Sequence, residues 1–229
     1  MSTRMRRLLL FGLGGLVTLA ILVVGGTYLY VNVISDDAPA PLALDESGGG
    51  GASVADLEGT WTITHDSEAG YRVDEVLNGQ DNTVVGRTND VSGQITVADG
   101  AATDAEVVVD MTTVTTDSGS RDSQFRGPIM LTDEFPTATF RLTEPVSVAD
   151  MSGSGPVSVT AAGELTLRDV TRPVEAEVDV QSSGGDVQVA GSIPITFADF
   201  GIDPPNLGFV RVENSGVVEF LLTLEQDGT

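Results

Sequence analysis

The chain has 229 residues with 11 Lys+Arg against 34 Asp+Glu, and its net charge of −23 excludes binding to nucleic acid or anionic lipid through a basic patch. Cys is absent and His occurs once, which excludes disulfides, cysteine nucleophiles and metal sites built from thiolates or several histidines. Lys is absent as well, which excludes Schiff-base chemistry. We therefore expect neither a metal nor a cofactor.

The first predicted element is a membrane-spanning helix. A basic N-terminus (residues 1–7) with three arginines precedes 24 uncharged residues, from Leu8 to Val31, which as a helix would span roughly 36 Å. A cleavable signal peptide usually has an apolar stretch of only about 7–15 residues. We therefore predict an uncleaved anchor over residues 8–34, with a processed signal as the alternative. Basic residues before the helix and acidic residues after it place the N-terminus in the cytoplasm.

Residues 35–55 follow this helix and are predicted to form a flexible tether. They combine Pro-Ala steps, acidic residues and four consecutive glycines, a composition that offers no face for packing. From residue 56 the composition changes to Val, Thr and Ile separated by Gly, Asp and Ser. Residues 56–229 are enough to bury one core without disulfides, so we predict a single extracytoplasmic domain.

Apolar residues of this domain recur with a period of two. Residues 174–180 alternate apolar and acidic residues without a break, and residues 218–225 alternate with one exception. Half-buried antiparallel strands give this pattern, and turn signals such as Asp99-Gly100 separate them. Only residues 117–129 suit a helical turn or two. The pattern indicates eight or so strands in an all-β sandwich or closed barrel.

Two observations favour the closed barrel. The strands are apolar on one face only, and the inward residues are rich in Val and Ala with few aromatics. An eight-stranded barrel has an interior that side chains can just fill, or that holds one small ligand if those side chains are small. Both alternatives stay open at this point: a hollow barrel that binds a ligand, or a solid barrel that serves as a structural or protein-interaction module.

Four segments of the domain occur in an order typical of one family. They are Gly59–Ile63 with Tyr71–Val73, Ser120–Arg126 followed by Phe135–Phe140, Gly163–Val174, and Asp199–Ile202. Together they resemble the YceI-like family of lipocalin-like, polyisoprenoid-binding proteins over about residues 56–226. The resemblance implies an eight-stranded antiparallel barrel around an apolar channel for an isoprenoid, often in a homodimer. The chain departs from the family pattern at Asp74-Glu75 and at Gln124, where members often carry histidine.

A channel of this kind needs an apolar lining and no reactive group, since each buried CH₂ contributes about 0.8 kcal/mol. For its mouth we consider Arg126 as a ligand of a head group, because a planar guanidinium suits a phosphate. For the pair Arg121 and Asp122 we favour a contact that fixes the loop over a head-group contact. The predicted ligand-binding residues are Trp61, Ile63, Val73, Arg126, Phe140, Leu142, Leu165 and Leu167.

An enzyme acting on lipid or cell-wall substrates is the rival interpretation, because His65, Asp66 and Ser67 are consecutive. On a strand His65 and Ser67 would share a face while Asp66 points away, so the three could not form a triad. No G-x-S-x-G nucleophile motif occurs. We therefore predict a non-enzymatic, single-pass protein of the cell membrane whose extracytoplasmic barrel binds a polyisoprenoid or similar long-chain lipid. The predicted partners are that lipid and the membrane, without nucleic acid.

Overall fold

The computed structural model describes residues 38–44, 57–148, 155–183, 186–206 and 208–227. The predicted helix over residues 8–34 and most of the predicted tether lie outside these ranges. Within the described ranges, no helix combines the length and the apolar character needed to span a bilayer.

Twelve strands occur in the described residues, and eight of them close a barrel. The strands are β1 (Gly59–Ile63), β2 (Glu68–Leu77), β3 (Gln80–Thr88), β4 (Val91–Ala98), β5 (Ala101–Asp110), β6 (Thr137–Leu142), β7 (Val146–Ser147), β8 (Val157–Leu167), β9 (Val170–Ser183), β10 (Asp186–Thr196), β11 (Val210–Val212) and β12 (Ser215–Gln226). Antiparallel pairs join β1, β4, β5, β6, β8, β9, β10 and β12 in that order, and β12 pairs with β1 to close the ring. The predicted all-β, eight-stranded antiparallel closed barrel is thus confirmed.

Strand β12 is long enough to pair with two different strands along the same edge. Its last residues pair with β1, whereas residues 217–221 pair with β2. β2 and β3 form a hairpin that turns at Asn78-Gly79, where both residues have positive φ, and this hairpin extends the wall beyond β1 and β4. We call this part of the barrel the hairpin end. The start of β1 lies at the opposite end.

The predicted alternation is present in the strands that carried the signal. In β9 the side chains of Ala176 and Val178 are buried, whereas the acidic residues at 175, 177 and 179 are exposed. The turn before β9 is made by Arg168 and Asp169, with φ of 49° and 62°. Two consecutive residues with positive φ are the geometry that joins strands with the natural twist. β8 and β9 therefore form an antiparallel hairpin around these two residues.

A short helical segment lies at the hairpin end, between β5 and β6. It consists of helix α1 (Gly119–Gln124) and a π-helical turn (Phe125–Ile129), which confirms the helical turns expected over residues 117–129. Asp122 fixes its start, because this buried carboxylate accepts hydrogen bonds from the Thr116 backbone N–H at 2.8 Å and from Thr116 Oγ1 at 2.7 Å. This geometry agrees with the interpretation favoured from the sequence, in which Asp122 fixes the loop.

Residues 64–67 form a turn between β1 and β2. The His65 side chain is exposed and its Nε2 lies 3.5 Å from Asp66 Oδ1. Ser67 is fully buried, and its Oγ accepts a hydrogen bond from the backbone N–H of Thr223 at 3.0 Å. The prediction that His65 and Ser67 share a face is therefore wrong, because alternation holds only in a strand. The three side chains still do not form a triad, since Ser67 is turned into the wall.

Candidate ligand-binding site

A cavity of about 520 Å³ occupies the interior of the barrel. This volume is within the usual range of small-molecule sites. All eight strands of the ring contribute to its wall, mostly with Val, Ala, Leu and Ile. The interior of the described barrel is therefore hollow, and its surface is apolar along most of its length.

The two ends of the cavity differ in exposure. At the hairpin end the lining includes the exposed residues Ser120, Gln124 and Phe209. At the opposite end it includes Leu57 and Trp61, each 4% exposed, together with the exposed Ser147 of β7. The Trp61 ring is held in place because its Nε1–H donates a hydrogen bond to the Leu57 carbonyl at 2.8 Å. We call the hairpin end of the cavity the mouth and the end with Trp61 the floor.

Glycines on neighbouring strands keep two phenyl rings against the wall. A Cβ atom on Gly163 would lie 2.3 Å from Phe140 Cζ, and one on Gly191 would lie 2.4 Å from Phe220 Cζ. Both distances are far below van der Waals contact, so each ring occupies the space that a side chain would take. The rings therefore add apolar surface to the wall without filling the centre.

The mouth carries the polar part of the site. Glu75 of β2 points inward and is 6% exposed, and it accepts a hydrogen bond from Asn82 Nδ2 at 2.8 Å. Arg121 of α1 reaches it across the mouth, with Nη2 at 3.4 Å from Glu75 Oε1, and also pairs with Asp117. Since a buried carboxylate requires a partner, these contacts hold α1 against β2. Arg121, like Asp122, therefore makes the contact that we favoured from the sequence, one that fixes the loop. The Arg121 side chain also lines the cavity.

Tyr71 connects the mouth to the helical segment. Its ring stacks on Phe125 with centroids 5.0 Å apart and an angle of 10° between the planes. Burial is the main cause that raises the pKa of the Tyr71 hydroxyl well above its ordinary value of 10.0, while the nearby Arg121 guanidinium opposes this rise. The hydroxyl therefore stays neutral at physiological pH and adds no charge to the cavity.

The structure brings together most of the predicted ligand-binding residues. Trp61, Val73, Phe140, Leu142, Leu165 and Leu167 line the cavity. Ile63 is buried in the core beside Gly93 and does not line it. Arg126 also lies off the cavity wall, where its Nη1 donates a hydrogen bond to the Val114 carbonyl at 3.2 Å. Binding by any of these residues stays a prediction.

A family model described as the YceI-like domain matches residues 61–224. The chain belongs to the YceI-like family. Among its relatives, the UPF0312 protein of Shewanella denitrificans is 35% identical over 128 residues, which cover 52% of this chain and 64% of that protein. The UPF0312 protein of Pseudomonas paraeruginosa is 32% identical over 149 residues, which cover 61% and 72%. The chain therefore spans a little less than two thirds of the Shewanella relative.

Two solved structures share the YceI-like fold with this chain. The first is a polyisoprenoid-binding domain from Saccharophagus degradans implicated in plant cell wall breakdown, with a TM-score of 0.59 and 22% identity, covering 73% of this chain and 98% of that domain. The second is BcnA of Burkholderia cenocepacia, with a TM-score of 0.52 and 18% identity, covering 67% and 95%. At these identities the likeness establishes the fold alone.

The ligand-binding residues predicted from the sequence do not include the polar residues that line the mouth of this YceI-like barrel. Glu75 and Gln124 line the cavity, and both fall where the chain departs from the family pattern. Those departures were the signal that the sequence offered, because both positions carry a polar residue other than the histidine that members of the family often have. Glu75 also breaks the apolar inward face of β2, which is a second signal.

Proposed function

We propose that this protein binds a polyisoprenoid or similar long-chain lipid, non-covalently and without catalysis. One observation carries the proposal: the barrel contains an apolar cavity of about 520 Å³ with a polar mouth at one end. The description of the Saccharophagus degradans domain as polyisoprenoid-binding supports the choice of ligand class. The cavity itself argues against a solid barrel.

Binding of such a chain follows from its surface. An isoprenoid tail is almost entirely apolar, and each CH₂ that leaves water for an apolar wall contributes about 0.8 kcal/mol. The branched methyl groups of the tail match the Val, Leu and Ala surface along the cavity. No reactive side chain is needed for this interaction, and the aliphatic wall supplies none.

The mouth favours a ligand whose polar end is uncharged. The charged side chains that face the mouth are Glu75 and Arg121, whereas Arg72, which also borders the cavity, directs its guanidinium to Glu219 on the outer wall. Arg72 pairs with Glu219, and Arg121 pairs with Glu75 and Asp117, so each guanidinium already has a carboxylate partner. An anionic head group would have to displace these carboxylates or lie beside them, which costs free energy in a buried site. A hydroxyl or carbonyl instead finds donors and acceptors at the mouth.

The experiment is to identify what the full chain carries when it is purified in mild detergent. Organic extraction and mass spectrometry should reveal a long-chain apolar molecule in near-stoichiometric amount. Extracted protein should then rebind a long-chain prenyl alcohol with a change in Trp61 emission, because the single tryptophan lies at the floor. A short-chain prenyl alcohol, which does not reach the floor, is the matched control. Empty protein whose melting temperature and emission do not respond to the long-chain alcohol would contradict the proposal.

We also propose that the barrel is anchored by the predicted helix over residues 8–34 and lies outside the cytoplasm. The support is the 24-residue uncharged stretch with arginines before it and acidic residues after it. Because the chain has no Cys, a Glu164→Cys variant offers one exposed thiol on β8. A membrane-impermeant maleimide should label it in intact cells, whereas a Ser2→Cys variant should react only after lysis. The reverse labelling pattern would overturn the orientation.

A further inference from the structure

Residues 38–44, from the interval predicted to be a free tether, lie against the outer wall of the barrel. The Pro39 carbonyl accepts a hydrogen bond from Arg72 Nη2 at 2.5 Å. The next carbonyl, of Ala40, accepts one from Arg87 Nη2 at 2.6 Å. Leu42 and Leu44 are partly covered, whereas the other residues of the segment are exposed. The segment is thus attached through its backbone at two consecutive residues.

A buried carboxylate fixes both arginines. Glu219 of β12 points outward and is only 3% exposed. Its Oε1 lies 2.8 Å from Arg87 Nη2 and its Oε2 lies 3.5 Å from Arg72 Nε. Arg87 also lies 3.8 Å from Glu68, so two carboxylates balance the two guanidinium groups. Because these ion pairs hold the guanidinium groups without using the segment, we expect little side-chain entropy to be lost when they donate to a carbonyl.

We propose that Arg72, Glu219 and Arg87 form a clamp, a binding site on the outer wall for the chain's own Pro39-Ala40. The occupant suits the site, since a Pro-Ala-Pro segment favours an extended backbone whose carbonyls have no internal partners. Prolines also reduce the entropy lost on docking. The clamp does not depend on the lipid ligand, and its guanidinium groups recognise the backbone and not a side chain.

The clamp changes the distance over which the barrel can move from its anchor. A free tether over residues 35–55 would have an r.m.s. span of about 25 Å. With Pro39 held, four residues (35–38) separate the end of the predicted helix from the clamp, and four residues span about 14 Å at most. The wall formed by β2, β3 and β12 is then kept beside the end of the predicted membrane helix. This consequence rests on the proposed anchor, whereas the clamp itself does not.

Spin labels on the full, otherwise cysteine-free chain in detergent test the clamp. Labels are placed at Ala43→Cys in the segment and Asp81→Cys on β3, both exposed positions. We expect slow label motion at residue 43 and a narrow distance distribution between the two labels. Arg72→Gln with Arg87→Gln should release the segment and broaden the distribution. Arg141→Gln, which removes an exposed pair with Glu106 elsewhere on the barrel, is the matched control and should change neither.

A second variant covers the case in which the paired arginine variant fails to fold. Replacing Pro39 and Ala40 by Gly leaves the Arg72–Glu219–Arg87 cluster intact but raises the entropy lost on docking, so it should also broaden the distances. A mobile segment in the unchanged chain would overturn the clamp, as would folded arginine variants with unchanged distances. Loss of the narrow distance on dilution with unlabelled chain would show that a second copy supplies the segment, which overturns docking within one chain. Since the measurement is made in detergent, it is independent of lipid extraction and of the labelling in cells.

Discussion

Replacing Ala161 by Leu distinguishes a hollow barrel from a packed one by the sign of the stability change. Ala161 lies on β8, faces the cavity and is 9% exposed. Leu adds three carbons at this position. If they enter empty space, their burial contributes about 2.4 kcal/mol at 0.8 kcal/mol per carbon, less about 0.5–1 kcal/mol for the lost rotamer freedom. We expect lipid-free Ala161→Leu to be more stable than the unchanged chain by about 1–2 kcal/mol.

The measurement is thermal and urea unfolding of lipid-free protein, followed by titration with a long-chain prenyl alcohol. For a domain of this size the gain corresponds to a rise in Tm of about 2–8 °C. Binding should weaken, because the added side chain occupies the path of the tail. The same substitution at Ala190 is the matched control, since Ala190 is 3% exposed and lies off the cavity wall. Overpacking there should cost about 1–3 kcal/mol.

Two results would refute this reasoning. If Ala161→Leu loses stability to the same extent as Ala190→Leu, the position has no free space and the interior is packed. If Ala161→Leu gains stability but binds the prenyl alcohol as tightly as before, the cavity is present and the ligand binds elsewhere.

Three further predictions concern the mouth. Burial raises the pKa of Tyr71 above its ordinary value of 10.0, so the free energy of unfolding of the unchanged chain should be fully present below pH 10 and fall above it. Urea unfolding measured below and above pH 10 should show a smaller fall for Tyr71→Phe. Gly86→Ala should lower the free energy of unfolding by about 1–3 kcal/mol, because its Cβ would lie 2.4 Å from Tyr71 Cε1. Gly127→Ala, whose Cβ would have nothing within 4 Å, should raise it by about 0.4–1 kcal/mol. Equal effects of the two variants in urea unfolding would refute the contact between residue 86 and Tyr71. Arg121→Gln should lower the free energy of unfolding by about 1–2 kcal/mol, because Glu75 loses its cation. Adding Glu75→Gln should restore part of that loss, and a double-mutant cycle with additive costs would show that the two residues are not coupled.

The parts of the fold that local patterns encode could be predicted from the sequence. The alternation in residues 174–180 comes from one wet and one buried face, and the structure has that alternation in β9. The turn at Asp99-Gly100 and the helical turns within residues 117–129 are likewise set by nearby residues. Most predicted lining residues were found in the same way, since inward positions of a barrel strand follow from the period of two.

What could not be predicted depends on contacts between distant residues. Ser67 looked like part of a strand, yet its hydroxyl is bonded to Thr223, 156 positions away, at a break where β12 changes partners. The buried Glu75 has its cation partner in Arg121, which is 46 positions away and is carried over it by α1. Arg126 looked equally suited to the mouth by residue type, but the turn of the π-helical segment directs it to the Val114 carbonyl. Such pairs leave no periodic trace in the chain.

The floor of the cavity gives the barrel a fixed depth. Trp61 is tied to the Leu57 carbonyl and cannot swing aside without giving up that hydrogen bond. Under the proposed function, a tail that enters from the mouth meets this indole, and the units of a longer tail fold back or stay outside the barrel. For the proposed ligand, the distance from the mouth to Trp61 sets how many isoprenoid units lie inside the barrel, so we expect affinity to depend on the length of the tail.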